Sequence, residues 1–336
     1  MNQALSSQSQ DETVPPALDD FMRLEADIFL MRLPTGLQTR QCQAILSAIG
    51  GDTAALQDVR AARNAAMSAV PGVQTQELDA HLRLYTRTPQ SDDAAPLLVY
   101  FHGGGWTFGS LNSCARFCAR FCQRSGASVL AVDYPLAPEH PYPAALDACV
   151  EAVKKARLMA KEWGCDPSRI ALGGDSSGGN LAIATALRLA AEGMTDLSAL
   201  LLFYPVTKVW NDSSPSWRLF GKGYGLDSYL MKAFSHAYAG SSPQRPLISV
   251  ALADDEIVRQ LPPTLIVSAG RDILADQGEA FAMRLRHLGV KTRHVVFPSA
   301  VHLFITMPGQ SMAFERAVET AMDFLHHPDG TISTQD

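Results

Sequence analysis

From about Leu78 onward, short runs of consecutive apolar residues alternate with longer stretches of helical spacing. Pro96–Phe101, Ile170–Leu172, Pro263–Gly270 and Val295–Phe297 are apolar at successive positions, the pattern of strands buried on both faces. Segments such as Asn180–Leu187 between them carry helical spacing. The alternation predicts an α/β fold with a mostly parallel central sheet and helices on both faces. Residues 16–76 read differently: Leu18–Leu30 is helical and strand signals are few, so N-terminal helices are expected ahead of the core. The alternation lapses again over residues 207–246, where Trp217, Tyr229, Phe234 and Tyr238 stand among Gly221, Gly223 and Gly225. That segment reads as a helical insertion splitting a core of residues 77–206 and 247–328. The polar ends, residues 1–15 and 329–336, are expected to be disordered tails. No internal repeat suggests a solenoid.

Candidate chemistry gathers where strands end. Gly173-Gly174-Asp175-Ser176-Ser177-Gly178-Gly179 joins the apolar run ending at Leu172 to the helical stretch after it. A serine on such a strand-turn-helix elbow needs residues without side chains two positions before and after it. Ser176 has Gly174 and Gly178 there, whereas Ser177 would have Asp175, so Ser176 is the candidate nucleophile. An earlier strand ends in His102-Gly103-Gly104-Gly105-Trp106. Consecutive glycines leave backbone N–H groups uncovered, able to face a developing oxyanion, where an isolated glycine run would be a flexible turn.

A nucleophilic serine needs a base, and the base an orienting carboxylate. In elbow enzymes the acid and then the histidine follow the serine, each on a loop after a strand. Asp272 follows the strand ending near Gly270, and His302 follows Val295–Phe297. Asp276 reads as a capping or surface acid. Among the nine histidines, His294 and His81 alternate with apolar residues inside strands, His326 and His327 lie in the polar C-terminal end, His287 is on a helix and His236 in the insertion. His102 is expected to hold backbone. Glu139 and His140 form a tempting acid–base pair, but Pro135, Pro138, Pro141 and Pro143 surround them and mark a rigid loop.

Together these segments resemble the hormone-sensitive-lipase-like family of α/β-hydrolases, in its bacterial esterase branch and similar to arylacetamide deacetylase. His102–Trp106, Asp133–Pro141, Gly174–Asn180, Leu261–Thr264 and Asp272–Asp276 carry the resemblance, with His302 thirty positions after Asp272. The resemblance implies an α/β-hydrolase fold and a triad of Ser176, Asp272 and His302. It further implies an oxyanion hole from the amides of Gly103, Gly104, Gly105 and Ser177, and a cap formed by residues 207–246 with the N-terminal helices. The activity implied is hydrolysis of small, short-chain carboxylic esters through an acyl-enzyme. Amidase, lactonase or acyltransferase chemistry on the same triad is the alternative, as is a non-catalytic small-molecule-binding protein on this fold. Trp106, Trp210, Phe220 and Leu303 are the candidate substrate-binding side chains. Three positions depart from the family pattern: Ile273 stands where proline is usual, Pro135 for arginine, and Leu303 for the glycine after the histidine. Leu303 adds bulk beside the base, which points to small substrates.

Composition narrows the partners. At 47% hydrophobic and 18% charged the chain is globular, and a net charge of −6 argues against a nucleic-acid partner. There is no apolar run long enough to span a membrane. Met1–Pro16 lacks the basic and apolar regions of a secretory signal, so a cytoplasmic location is expected. Of the six cysteines, Cys114, Cys118 and Cys122 recur every fourth residue. That spacing stacks sulfurs along one helix face instead of converging them on an ion. The triad chemistry needs neither metal nor organic cofactor, so none is expected. The partner expected is a small-molecule ester, with a homodimer as the candidate assembly.

Overall fold

The computed structural model describes residues 11–89, 93–209 and 213–328. Strand β1 (Glu12–Thr13) precedes helices α1 (Pro16–Arg32), α2 (Leu37–Ile49) and α3 (Ala54–Ala62). Strands β2 (Val73–Glu77), β3 (Leu82–Arg87) and β4 (Ala95–Phe101) follow. Alternation then sets in with α4 (Leu111–Ser125), β5 (Ser128–Val132), α5 (Ala144–Met159), β6 (Cys165–Asp175), α6 (Ser177–Ala191) and β7 (Ala199–Phe203). Helices α7 (Pro215–Leu219), α8 (Ser228–Ala239) and α9 (Asp255–Val258) precede β8 (Thr264–Arg271), α10 (Ala275–His287), β9 (Thr292–Val301) and α11 (Ser311–His326).

The strands form one sheet in the order β1-β9-β8-β7-β6-β4-β5-β3-β2. Only the β2/β3 and β3/β5 pairs are antiparallel. Successive side chains of a strand point to opposite faces, and here both faces are covered. In β4, Leu97, Val99 and Phe101 enter one core cluster and Leu98 and Tyr100 the other. In β7, Leu200 and Leu202 face one way, Ala199, Leu201 and Phe203 the other. This is why these strands read as unbroken apolar runs.

Helix α4 shows what the repeated cysteines do. Cys114, Cys118 and Cys122 are fully buried with Phe117 and Phe121 against the sheet, and all six cysteines are free thiols. Ser110 caps the helix by accepting from Asn112 N, and Gly126 closes it in the left-handed conformation. Among the described residues no group of histidine, cysteine and acidic side chains could hold a metal ion, and no helix is long and apolar enough to cross a membrane.

One expectation needs correction. Within the N-terminal segment read as a disordered tail, Glu12 and Thr13 pair in parallel with Val295 and Val296. Charge holds this short edge strand in place: Arg293 donates to Glu12, Arg286 donates to Asp11, and His294 Nδ1 faces Asp11 Oδ2 at 2.8 Å. The remaining residues read as tails, 1–10 and 329–336, lie outside the described residues.

His294 is buried and its Nε2 meets Ser268 Oγ at 2.9 Å. Burial holds its imidazole below the ordinary value of 6.5, with the Asp11 charge opposing. Below that pH the unfolded chain therefore binds more protons at this site than the folded one. Stability is complete above 6.5 and is lost as pH falls toward the lowered folded value. Thermal melts between pH of about 7.5 and 5.5 should show a fall in Tm that is smaller in His294→Gln. An identical pH slope in the variant would assign the loss to other groups.

Candidate active site

Strand β6 ends at Asp175 and α6 begins at Ser177, so the chain turns over the single residue Ser176, at φ 55° and ψ −117°. Such a conformation costs on the order of 1–3 kcal/mol and persists only where the surroundings dictate it. Here they do: Ser176 N–H donates to Phe203 O at 2.9 Å, and Ser176 O accepts from Asn180 N and Val206 N, both at 3.1 Å. The turn presses residues 174 and 178 together. A Cβ on Gly174 would lie 2.4 Å from the Gly178 carbonyl, and one on Gly178 would lie 2.0 Å from Phe101 O. The steric demand selects Ser176 over Ser177, in the register the glycine spacing predicts.

The ends of β8 and β9 bring the other two groups to this turn. His302 Nε2 lies 3.1 Å from Ser176 Oγ, and His302 Nδ1 lies 2.6 Å from Asp272 Oδ2. Asp272 Oδ1 accepts from Leu274 N at 3.0 Å, which fixes the carboxylate plane. All three side chains are buried. Sequence reasoning missed the residues that hold the histidine. Gln310, itself buried, accepts from Val301 N and donates to His302 O at 3.1 Å. The Tyr204 ring lies 4.4 Å from the imidazole, and its hydroxyl accepts from Ile305 N. Neither has a local signature, because each acts through a contact made far along the chain.

The glycine loop is built around two rings. His102 Nδ1 donates to Gly103 O at 2.9 Å, which places the proton on that nitrogen, and the imidazole stacks on Tyr134 at 4.3 Å. Tyr134 OH donates to His102 O at 2.6 Å. Gly104 and Gly105 adopt φ of 122° and 62°, positions where a side chain would strike Phe108 and the Phe234 ring. Their amides and that of Ser177 meet no protein acceptor among the described residues. Gly103 is a correction: its N–H donates to Asp175 Oδ1 at 3.0 Å, so it is not open to an oxyanion.

Asp175 is thus a tie between elbow and loop. It is buried, and Tyr100 OH donates to the same oxygen at 2.9 Å. Burial raises its carboxyl above the ordinary range, while the Tyr100 hydroxyl, the His102 charge and the Gly103 amide pull the other way.

Of the predicted substrate-binding side chains, Leu303 borders a cavity; it has φ 74° and lines a space of about 240 Å³ with Leu30, Leu33 and Met307. Trp106 is a second correction. Its ring is fully buried and stacked on Tyr238 of α8 at 4.6 Å, so the role the structure shows for it is to pack the glycine loop against α8. Phe220 ends α7 with its ring edge-on to Tyr224. Trp210 lies outside the described residues. Asp276 caps α7 by accepting from Ser216 N, and Glu139 is held by Arg60 at 2.7 Å, which removes it as a partner for His140.

Residues 98–306 match the family described as alpha/beta hydrolase fold. The chain belongs to this family. Among its α/β-hydrolase relatives, the carboxylic ester hydrolase LipN of Mycobacterium tuberculosis is 38% identical over 65% of this chain and 60% of its own length. The chain therefore spans about three-fifths of that relative. The ethyl acetate hydrolase of Pseudomonas putida is 36% identical over 67% of this chain and 71% of its own. A thermostable esterase from Pseudomonas putida superposes with a TM-score of 0.76 at 26% identity, over 85% of this chain and 96% of that one.

The elbow tie generates a test. Asp175→Ala leaves the Tyr100 hydroxyl and the Gly103 amide buried without an acceptor, at about 1–3 kcal/mol each. Asp175→Asn keeps an acceptor at the same place. Denaturant unfolding should therefore show the alanine variant about 2–4 kcal/mol less stable than the asparagine variant. Equal stabilities would mean that the side chain does not anchor the loop.

Proposed function

We propose that the protein is a serine carboxylic ester hydrolase acting on small, short-chain esters through an acyl-enzyme. The observation that carries this reading is the buried line from Asp272 through His302 to Ser176, at 2.6 and 3.1 Å, beside the open amides of Gly104, Gly105 and Ser177. The names of the relatives, esterases and an ethyl acetate hydrolase among them, support it. His302 takes the Ser176 proton as the hydroxyl oxygen attacks the ester carbonyl, and Asp272 keeps the imidazole in the required tautomer. The carbonyl oxygen becomes an oxyanion facing the open amides, each worth about 3 kcal/mol to the transition state. The C–O bond then breaks, and the alcohol leaves with the proton from His302. Water, deprotonated by His302, attacks the acyl-enzyme and releases the acid, restoring Ser176.

Ser176→Ala should fold as wild type and lose on the order of 10⁴-fold or more in kcat on p-nitrophenyl esters. A fluorophosphonate should attach to Ser176 in wild type and to nothing in the variant. Modification of Ser177 would overturn the assignment of the nucleophile.

Leu303 supports the preference for small substrates, since it fills space beside the base where glycine would leave room. Leu303→Gly should raise the ratio of long-chain to short-chain kcat/KM by about 10-fold or more. Loss of the leucine side chain from the cluster with Val301 should offset the relief of its left-handed conformation and leave Tm unchanged or lower. An unchanged ratio would leave specificity to the cap.

A further inference from the structure

Arg60 and Arg63 leave the end of α3 three residues apart and meet different fates. Arg60 is saturated: it donates to Glu139 and to the carbonyls of Thr107 and Ala137. Arg63 forms no hydrogen bond and no ion pair with any described residue; only the Phe108 ring lies under its guanidinium, at 5.5 Å. It nevertheless lines the cavity of about 240 Å³ that Leu303 borders. Burial pulls its guanidinium below the ordinary arginine range, and the carboxylate charge acting on it belongs to Asp175, the neighbour of Ser176.

A second polar group shares this wall without a partner. Gln41 of α2 is 5% exposed, lines the same cavity, and its side-chain amide meets no described protein group. A half-buried cation and an amide, neither engaged by a protein group, leave donors on this wall that a ligand in the cavity can use. The cavity adjoins the loop that carries the base: Leu303, next to His302, is on its wall, and a Cβ on Gly225, another wall residue, would lie 3.8 Å from the His302 backbone carbonyl. The one acid on the wall, Asp227, turns its Oδ1 to Gly223 N at 2.7 Å.

We propose that Arg63, with Gln41 beside it, binds a carboxylate of the substrate, so that the esters this site is built for carry one negative charge. The proposal rests on the ester-hydrolase reading and names its substrate class. A planar carboxylate accepts two parallel N–H bonds from a guanidinium and leaves a lone pair for the Gln41 amide. One cation matches one charge. A phosphate dianion would bring a second charge that Arg63 cannot balance, on a wall that also holds Asp227.

Matched pairs test this with the full chain: 4-acetoxybenzoate against 4-methylphenyl acetate for a carboxylate on the alcohol side, and monoethyl glutarate against ethyl pentanoate for the acyl side. In one pair, Arg63→Met should lower the ratio of anionic to neutral kcat/KM by about 10- to 100-fold, mainly through KM, with Arg63→Lys recovering part of it. Ratios unchanged in both pairs overturn the proposal, whatever happens to absolute rates, since a structural arginine would lower both members alike. Calorimetric binding of the same anionic esters to Ser176→Ala, with and without Arg63→Met, reads the site without turnover. Weaker binding on loss of Arg63, with no ester hydrolysed by wild type, would uphold the anion site and sink the esterase reading; equal binding would sink the anion site alone.

Discussion

Everything at this site depends on the chain reversing at Ser176 in a backbone conformation that a serine does not choose. The cost of that φ is met by the sheet: β6 delivers Asp175 and α6 starts at Ser177, so no longer path between strand and helix exists. Because residues 174 and 178 then touch, and residue 178 touches Phe101 O, the elbow also fixes where β4 ends. The glycine loop leaves from that same strand end. The relative position of nucleophile and loop amides is therefore set by sheet register, and Asp175 reinforces it with one oxygen shared between Tyr100 and Gly103.

What was legible in the sequence is what steric necessity writes locally. Glycines two before and two after a serine, three glycines after a strand, and an acid and a histidine after later strands each answer a demand that a few neighbouring residues reveal. Gly103 was not legible in this way, since its amide is occupied by an aspartate 72 positions later. Trp106 beside the glycines reads alike whether it faces substrate or Tyr238, and only the packing of α8 decides. Strand β1 has two residues, too short for any periodicity, and is held by charges on a strand some 280 positions away. Gln310 and Tyr204 likewise have meaning only once the loop they brace is folded.

The covering helices are not an independent layer. Helix α2 packs on α8, α8 presents Phe234 and Tyr238 to the glycine loop, and Arg60 of α3 donates to Thr107 O just past that loop. A residue at Gly105 larger than hydrogen would enter the Phe234 ring. The loop amides are thus clamped from one side by the sheet and from the other by helices remote in sequence. This explains why three glycines are needed there: the backbone runs between two packed surfaces with no room for a side chain on either.

The base is coupled to the same helices through a small apolar cluster. Ala26 and Phe29 of α1 pack with Val301, and Leu30, Leu33, Leu303 and Met307 gather around them. His302 lies between two members of this cluster, so its backbone cannot shift without disturbing α1. Gln310 resists the same shift from the opposite side by holding the carbonyls of Val301 and His302. Leucine at 303 strains the backbone yet adds its side chain to the cluster. Partial burial of such a side chain contributes on the order of 1–2 kcal/mol, enough to offset a left-handed φ of about 1–2 kcal/mol. The departure from glycine is therefore sustainable here because α1 lies over it, and the side chain that anchors the base loop is the same one that narrows the cavity Arg63 lines.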